Sequence, residues 1–110
     1  MRFATLIAAG LAAAVVVASP AQAQPQGDPA AGKEKAYECL GCHASATYGN
    51  VYPSYHVPKV GGQKAQYIVS ALQAYASGDR KHPTMKAQAK ALSKQDMRDI
   101  AAFFSQQGAQ

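Results

Sequence analysis

The 110-residue chain has no tryptophan, only two cysteines and only six Asp and Glu. Two cysteines exclude a disulfide-rich scaffold. Cys39 and Cys42 also share one five-residue stretch, so a bond between them would close a tiny loop and restrain little of the unfolded chain. Six acids against eleven Lys and Arg leave a net charge of +5, but the charges are scattered rather than blocked. Without a basic stripe interleaved with stacking aromatics, a nucleic-acid surface is set aside. The chain has one long apolar run, no alternating strand pattern and no internal repeat. With 110 residues, one domain is the ceiling.

That apolar run accounts for the N-terminus. Met1-Arg2-Phe3 carries a positive charge, Leu6 to Ala18 is apolar for 13 residues, and Ala21 and Ala23 form an A-x-A site. A bilayer span needs about 20 apolar residues. The pattern therefore reads as a cleaved secretory signal over residues 1–23, in preference to a membrane anchor or a buried helix. Residues 24–110 remain as a single domain of 87 residues with a net charge of +4. No other run is apolar enough to span a membrane, so no stable membrane insertion is expected after cleavage. A core of this size supplies only a few kcal/mol, roughly 3–5, so the fold calls for a staple other than a disulfide.

Helical signals follow. Asp28 and Pro29 read as N-cap and first helical residue of a helix running up to Cys39. Residues 44–62, with Pro53, Pro58, Gly49, Gly61, Gly62 and three tyrosines, read as a long loop. Gln63 to Ser77 is a helix whose apolar stripe is Tyr67, Ile68, Ala71, Leu72 and Tyr75, ended by Gly78. Residues 79–84 read as a polar loop and Met85 to Leu92 as a short helix. Ser93 to Asp96 resembles a capping box, opening a last helix that buries Met97, Ile100, Ala101 and Phe104 and ends near Gln107. The domain is all-α, with three or four helices.

Cys39-Leu40-Gly41-Cys42-His43 is C-x-x-C-H, the attachment pattern of c-type haem. Two thiols at this spacing add across the two vinyl groups of one haem edge, and the following imidazole lies beside the iron. A thioredoxin-like redox pair would need a strand–helix setting that the chain lacks. A zinc site would need four ligands at spacings that two cysteines and three histidines do not offer. A plain disulfide leaves His43 unexplained.

The chain resembles a class I cytochrome c, closer to small bacterial cytochromes of the c4, c5 and c-553 kind than to the mitochondrial protein. The resemblance rests on Gly27-Asp28-Pro29-Ala30-Ala31-Gly32-Lys33, the C-x-x-C-H, Pro58-Lys59-Val60-Gly61-Gly62-Gln63 with Tyr67, Leu72, Tyr75, Gly78 and Arg80, then Met85, and Leu92-Ser93 followed by Ile100-Ala101-Ala102-Phe103-Phe104. It covers nearly all of residues 27–107. It implies a small cytochrome c fold wrapped around one covalent haem c, with thioethers from Cys39 and Cys42 and axial ligand His43. The sixth ligand it implies is a methionine near the C-terminal end, for which Met85 stands first, then His82, then Met97, whose place on an apolar stripe fits core packing. It also implies that the Pro58 carbonyl accepts the Nδ1–H of His43. Tyr67, Tyr75 and Arg80 are candidates for bonds to the haem propionates, each with packing or solvated surface as the alternative. His56 reads as a loop residue, with Tyr52, Pro53, Tyr55 and Val57 near the haem edge. Gly32 is expected to let the terminal helices cross, against Phe103 or Phe104.

The functional expectation is a single-electron carrier, not an enzyme, in the periplasm of a Gram-negative bacterium. It would be a monomer docking transiently with redox partners through an exposed edge ringed by Lys59, Lys64, Lys81 or Lys86. Two alternatives stand beside it: a subunit held permanently by a larger dehydrogenase or oxidase, and a ligand-binding haem protein with an open sixth position.

Overall fold

A computed structural model describes residues 26–43, 49–52 and 55–107. The expected signal segment, residues 1–23, lies outside them, as does Pro53. Among the described residues the order is α1 (Pro29–Lys35), α2 (Tyr37–His43), β1 (Gly49–Tyr52), β2 (Tyr55–Val57), α3 (Ala65–Ser77), α4 (Pro83–Lys90) and α5 (Lys94–Ser105). No described helix is long and apolar enough to cross a membrane.

The helices begin where local chemistry favours it. Asp28 accepts from the Ala30 N–H, with Pro29 at the first helical position. Ser93 and Asp96 form the complete reciprocal capping box of α5. Such caps are worth about 1 kcal/mol each. Gly78, at φ 91°, ends α3 in the left-handed region that suits glycine.

Three expectations need correction. The first helix is two: Ala36, at ψ 0°, interrupts it, so five helices stand among the described residues rather than three or four. The C-x-x-C-H therefore lies on a helix of its own, α2, rather than after one. The expected absence of strands fails too. Inside the segment read as loop, β1 and β2 pair antiparallel, Gly49 with Val57, Asn50 with His56 and Tyr52 with Tyr55, with an irregularity between Asn50 and Tyr52. Strands of four and three residues are too short to show alternation. Finally, α4 begins at Pro83, which places Met85 inside its first turn.

Helix α5 packs against both α1 and α3, and α3 also packs against α4. The core comprises Ala36, Ile68, Val69, Leu72, Tyr75, Ala89, Met97, Ile100, Ala101 and Phe104. The four core positions expected on α5 are all buried. On α3 the stripe is rotated slightly: Val69 turns inward and Tyr67 stays 52% exposed.

The α1–α5 crossing is held by one buried carboxylate. Asp99, 3% exposed, accepts from the Asp28 N–H at 2.8 Å, Lys35 Nζ at 2.6 Å and Gln95 Nε2 at 2.7 Å. Lys35 also pairs with Asp96 at 2.8 Å. A Cβ on Gly32 would lie 1.9 Å from the Asp99 carbonyl oxygen. The helices therefore cross at Asp99–Ile100, about one turn before the expected Phe103 or Phe104.

Candidate functional site

A cavity of about 250 Å³ opens between α2, the segment after β2, α3, α4 and α5. Cys39, Cys42 and His43 border it from α2. Pro58, Lys59 and Val60 follow from the connecting segment, Tyr67 and Tyr75 from α3, then Arg80, His82 and Met85. Ile68, Ala71, Leu72, Ile100 and Phe104 give it an apolar interior. Every residue of the expected cofactor site, Cys39, Cys42, His43, Pro58, Tyr67, Tyr75, Arg80 and Met85, borders this one space. Met97 is buried in the core instead. Of the four lysines expected around an exposed edge, Lys59 borders the cavity and Lys64, Lys81 and Lys86 do not.

Helix α2 places Cys39 and Cys42 about one turn apart. Burial pushes the Cys39 thiol upward, opposite to the lowered thiol of a nucleophilic redox cysteine. Among the described residues no three His, Cys, Asp or Glu converge as a metal-holding group, which leaves the zinc alternative without a site there.

Two histidines border the cavity, and backbone groups fix their tautomers. Nδ1 of His43 lies 2.9 Å from the Pro58 carbonyl oxygen. A carbonyl only accepts, so Nδ1 carries the proton and Nε2 keeps its lone pair. His82 is the N-cap of α4, and its Nδ1 accepts from the Met85 N–H at 3.2 Å. An N–H only donates, so the neutral His82 ring carries its proton on Nε2. To offer Nε2 to a metal, neutral His82 would have to move its proton to Nδ1 and lose this bond.

The connecting segment is tied down: Gly62 N–H donates to the Phe104 carbonyl at 2.9 Å and Gln63 N–H to Val60 at 3.1 Å. At the far side Arg80 donates to the Tyr67 hydroxyl at 3.3 Å and lies 4.8 Å from the Tyr75 ring centre. Among the described residues the cavity border includes Lys59 and Arg80 but no carboxylate, so an anionic group is favoured there.

Comparison with known proteins fits this arrangement. The sequence profile of the family described as cytochrome c matches residues 29–107. Cytochrome c-554(548) of Halomonas halodenitrificans is 40% identical over 84 residues, covering 74% of this chain and 98% of that protein. Cytochrome c4 of Pseudomonas aeruginosa is 38% identical over 85 residues, covering 77% of this chain and 41% of that protein. A thiosulfate dehydrogenase electron acceptor of Thiomonas intermedia is 32% identical over 76 residues, covering 69% and 34%.

The chain belongs to the cytochrome c family. It is a class I c-type cytochrome with the small helical fold, an electron-carrying haem c protein. The cavity fits that covalently held group: two thiols on one helix, an imidazole with its lone pair preserved, a thioether on another helix, an apolar interior and a cationic rim.

The sequence reading of this cytochrome missed the apolar residues Ile100 and Phe104 as cavity lining, since a 3.6-residue stripe does not distinguish core from pocket wall. It also missed the capping by His82. The signal for it was Pro83, which marks a first helical residue and so puts the cap one position earlier.

Proposed function

We propose that this cytochrome is exported to the periplasm with loss of residues 1–23. There it carries single electrons on one haem c, bound through Cys39 and Cys42 and ligated axially by His43 and Met85. The observation that carries this reading is the convergence of those four side chains on one cavity, with Nδ1 of His43 held by Pro58.

When bound, the haem iron supplies reversible one-electron oxidation and reduction. The protein's part is positioning and electrostatics. Pro58 orients the His43 ring and raises its basicity. The Met85 thioether favours the ferrous state and so raises the potential. Ile68, Leu72, Ile100 and Phe104 exclude water, which disfavours the extra charge of the ferric state. Tyr67, Tyr75 and Arg80 stand where haem propionates would be received. A His43–Met85 pair leaves no position open to a substrate, which supports a carrier rather than an enzyme. Redox proteins would dock briefly, as small electron-transfer encounters do, at an edge that includes Lys59. The relative named as an electron acceptor of thiosulfate dehydrogenase supports a dehydrogenase as the class of donor.

The test is the absorption spectrum of the mature protein, ferric and ferrous, beside Met85→Ala. The expected result is sharp ferrous α and β bands in the parent, and a weak ferric far-red band that the variant loses. A high-spin parent, or a band unchanged in the variant, overturns Met85 ligation. No haem after expression with a working cytochrome maturation system overturns the whole reading.

A further inference from the structure

His82 borders the cavity three residues before Met85, yet its Nδ1 is already engaged by the Met85 backbone N–H at 3.2 Å. It is the N-cap of α4, Pro83 follows as the first helical residue, and Met85 sits within the first turn. The same ring meets Tyr75 edge-on, with centres 6.3 Å apart at 74°. Tyr75 is buried on α3. The His82 ring thus meets a buried residue of the core in a T-shaped contact and the backbone of Met85 through Nδ1.

We propose that His82 is a positioning residue for Met85, holding its backbone in register so that the thioether stays on the iron. The inference rests on the reading of Met85 as axial ligand. The physical reason is strain-free geometry. A methionine side chain has three rotatable bonds and specifies little by itself, so the position of its Cα decides how often sulfur meets iron. That Cα is set by the first turn of α4, and the first turn is set by its cap. Histidine is not among the favoured N-caps, which are Ser, Thr, Asp and Asn. A histidine here retains the cap bond and adds the ring contact to Tyr75.

The experiment compares the haem-loaded parent with His82→Ala, His82→Gln and His82→Asn. Alanine and glutamine remove the cap by different chemistry, and asparagine restores it without the ring. The readouts are the ferric far-red band and titration with imidazole, which competes with Met85 for the iron. Loss of the cap should raise imidazole affinity about five-fold, equivalent to about 1 kcal/mol at 1.4 kcal/mol per factor of ten. The band should weaken, and His82→Asn should return to within about two-fold of the parent. A parent with the band and an unchanged imidazole affinity in both His82→Ala and His82→Gln overturns the inference while leaving Met85 ligation intact. A His82→Asn variant as weakened as His82→Ala also overturns it. A parent without the band overturns Met85 ligation and this inference with it.

Discussion

Replacing Gly32 by alanine sets two effects of opposite sign against each other. In an isolated helix the change gains about 1 kcal/mol, because alanine is the better helix former. At the α1–α5 crossing the new Cβ would lie 1.9 Å from the Asp99 carbonyl oxygen, whereas ordinary contact begins near 3.4 Å. The obstacle is backbone, so no side chain can rotate away and the helices must part. Overpacking of this kind costs about 1–3 kcal/mol. The parting also stretches the bonds from Asp28 and Lys35 to Asp99, which cross the same interface and are worth about 1 kcal/mol each. The net expectation is a loss of about 2–3 kcal/mol, or a fall in Tm of roughly 10–20 °C for a domain of this size. Denaturant unfolding of the haem-loaded protein, followed by helical circular dichroism, measures it. A Gly32→Ala variant as stable as the parent, or more so, would refute the close crossing, because propensity alone predicts that sign.

Three further outcomes follow from the same structure. Met85→Ala should lower the reduction potential by on the order of 100 mV, within the roughly 0.8 V that axial ligands command; protein-film voltammetry reads this, and an unchanged potential counts against Met85. Mass spectrometry of the protein purified from a periplasmic extract should give a chain beginning at Gln24 with one haem added, and a retained N-terminus would reject the signal reading. The Lys35 ammonium, aided by backbone N–H donors, holds Asp99 and Asp96 at about 2. Both values lie below the unfolded value of about 3.9, so this stabilisation is present above pH 4 and is lost as pH falls towards 2. The denaturant midpoint should drop over that window, less steeply in Asp99→Asn; equal slopes would contradict the role given to Asp99.

How much was legible in the sequence varied with the kind of signal. Caps were legible because a cap is local: Asp28, Ser93 with Asp96, and Gly78 each act within four residues of themselves. The C-x-x-C-H was legible because attachment chemistry fixes its spacing. The hairpin over residues 49–57 was not, because its two strands are too short for a period of two to show. Asp99 was invisible as a buried residue. Its partners Asp28 and Lys35 lie 71 and 64 positions away, and nothing in a helix-period pattern marks a carboxylate that three donors will satisfy. Tyr67 was misplaced for a related reason. Periodicity gives the apolar face of α3 but not its edge, and Tyr67 stands where the packed face meets the cavity mouth.

The axial position shows what a backbone contributes beyond residue identity. In the sequence His43 and His82 are the same functional group, and His82 is even the nearer rival to Met85. The fold separates them with two backbone atoms of opposite character. The Pro58 carbonyl accepts a hydrogen bond from Nδ1–H of His43 and so leaves the lone pair on Nε2. The Met85 amide gives a hydrogen bond to Nδ1 of His82 and so puts the proton on Nε2. One histidine is thereby left with the free lone pair that ligation needs and the other is engaged as a helix cap, with no difference between their side chains. On the proposed reading of Met85 as sixth ligand, the hydrogen bond that ties up Nδ1 of His82 is also the one that would help to seat the methionine.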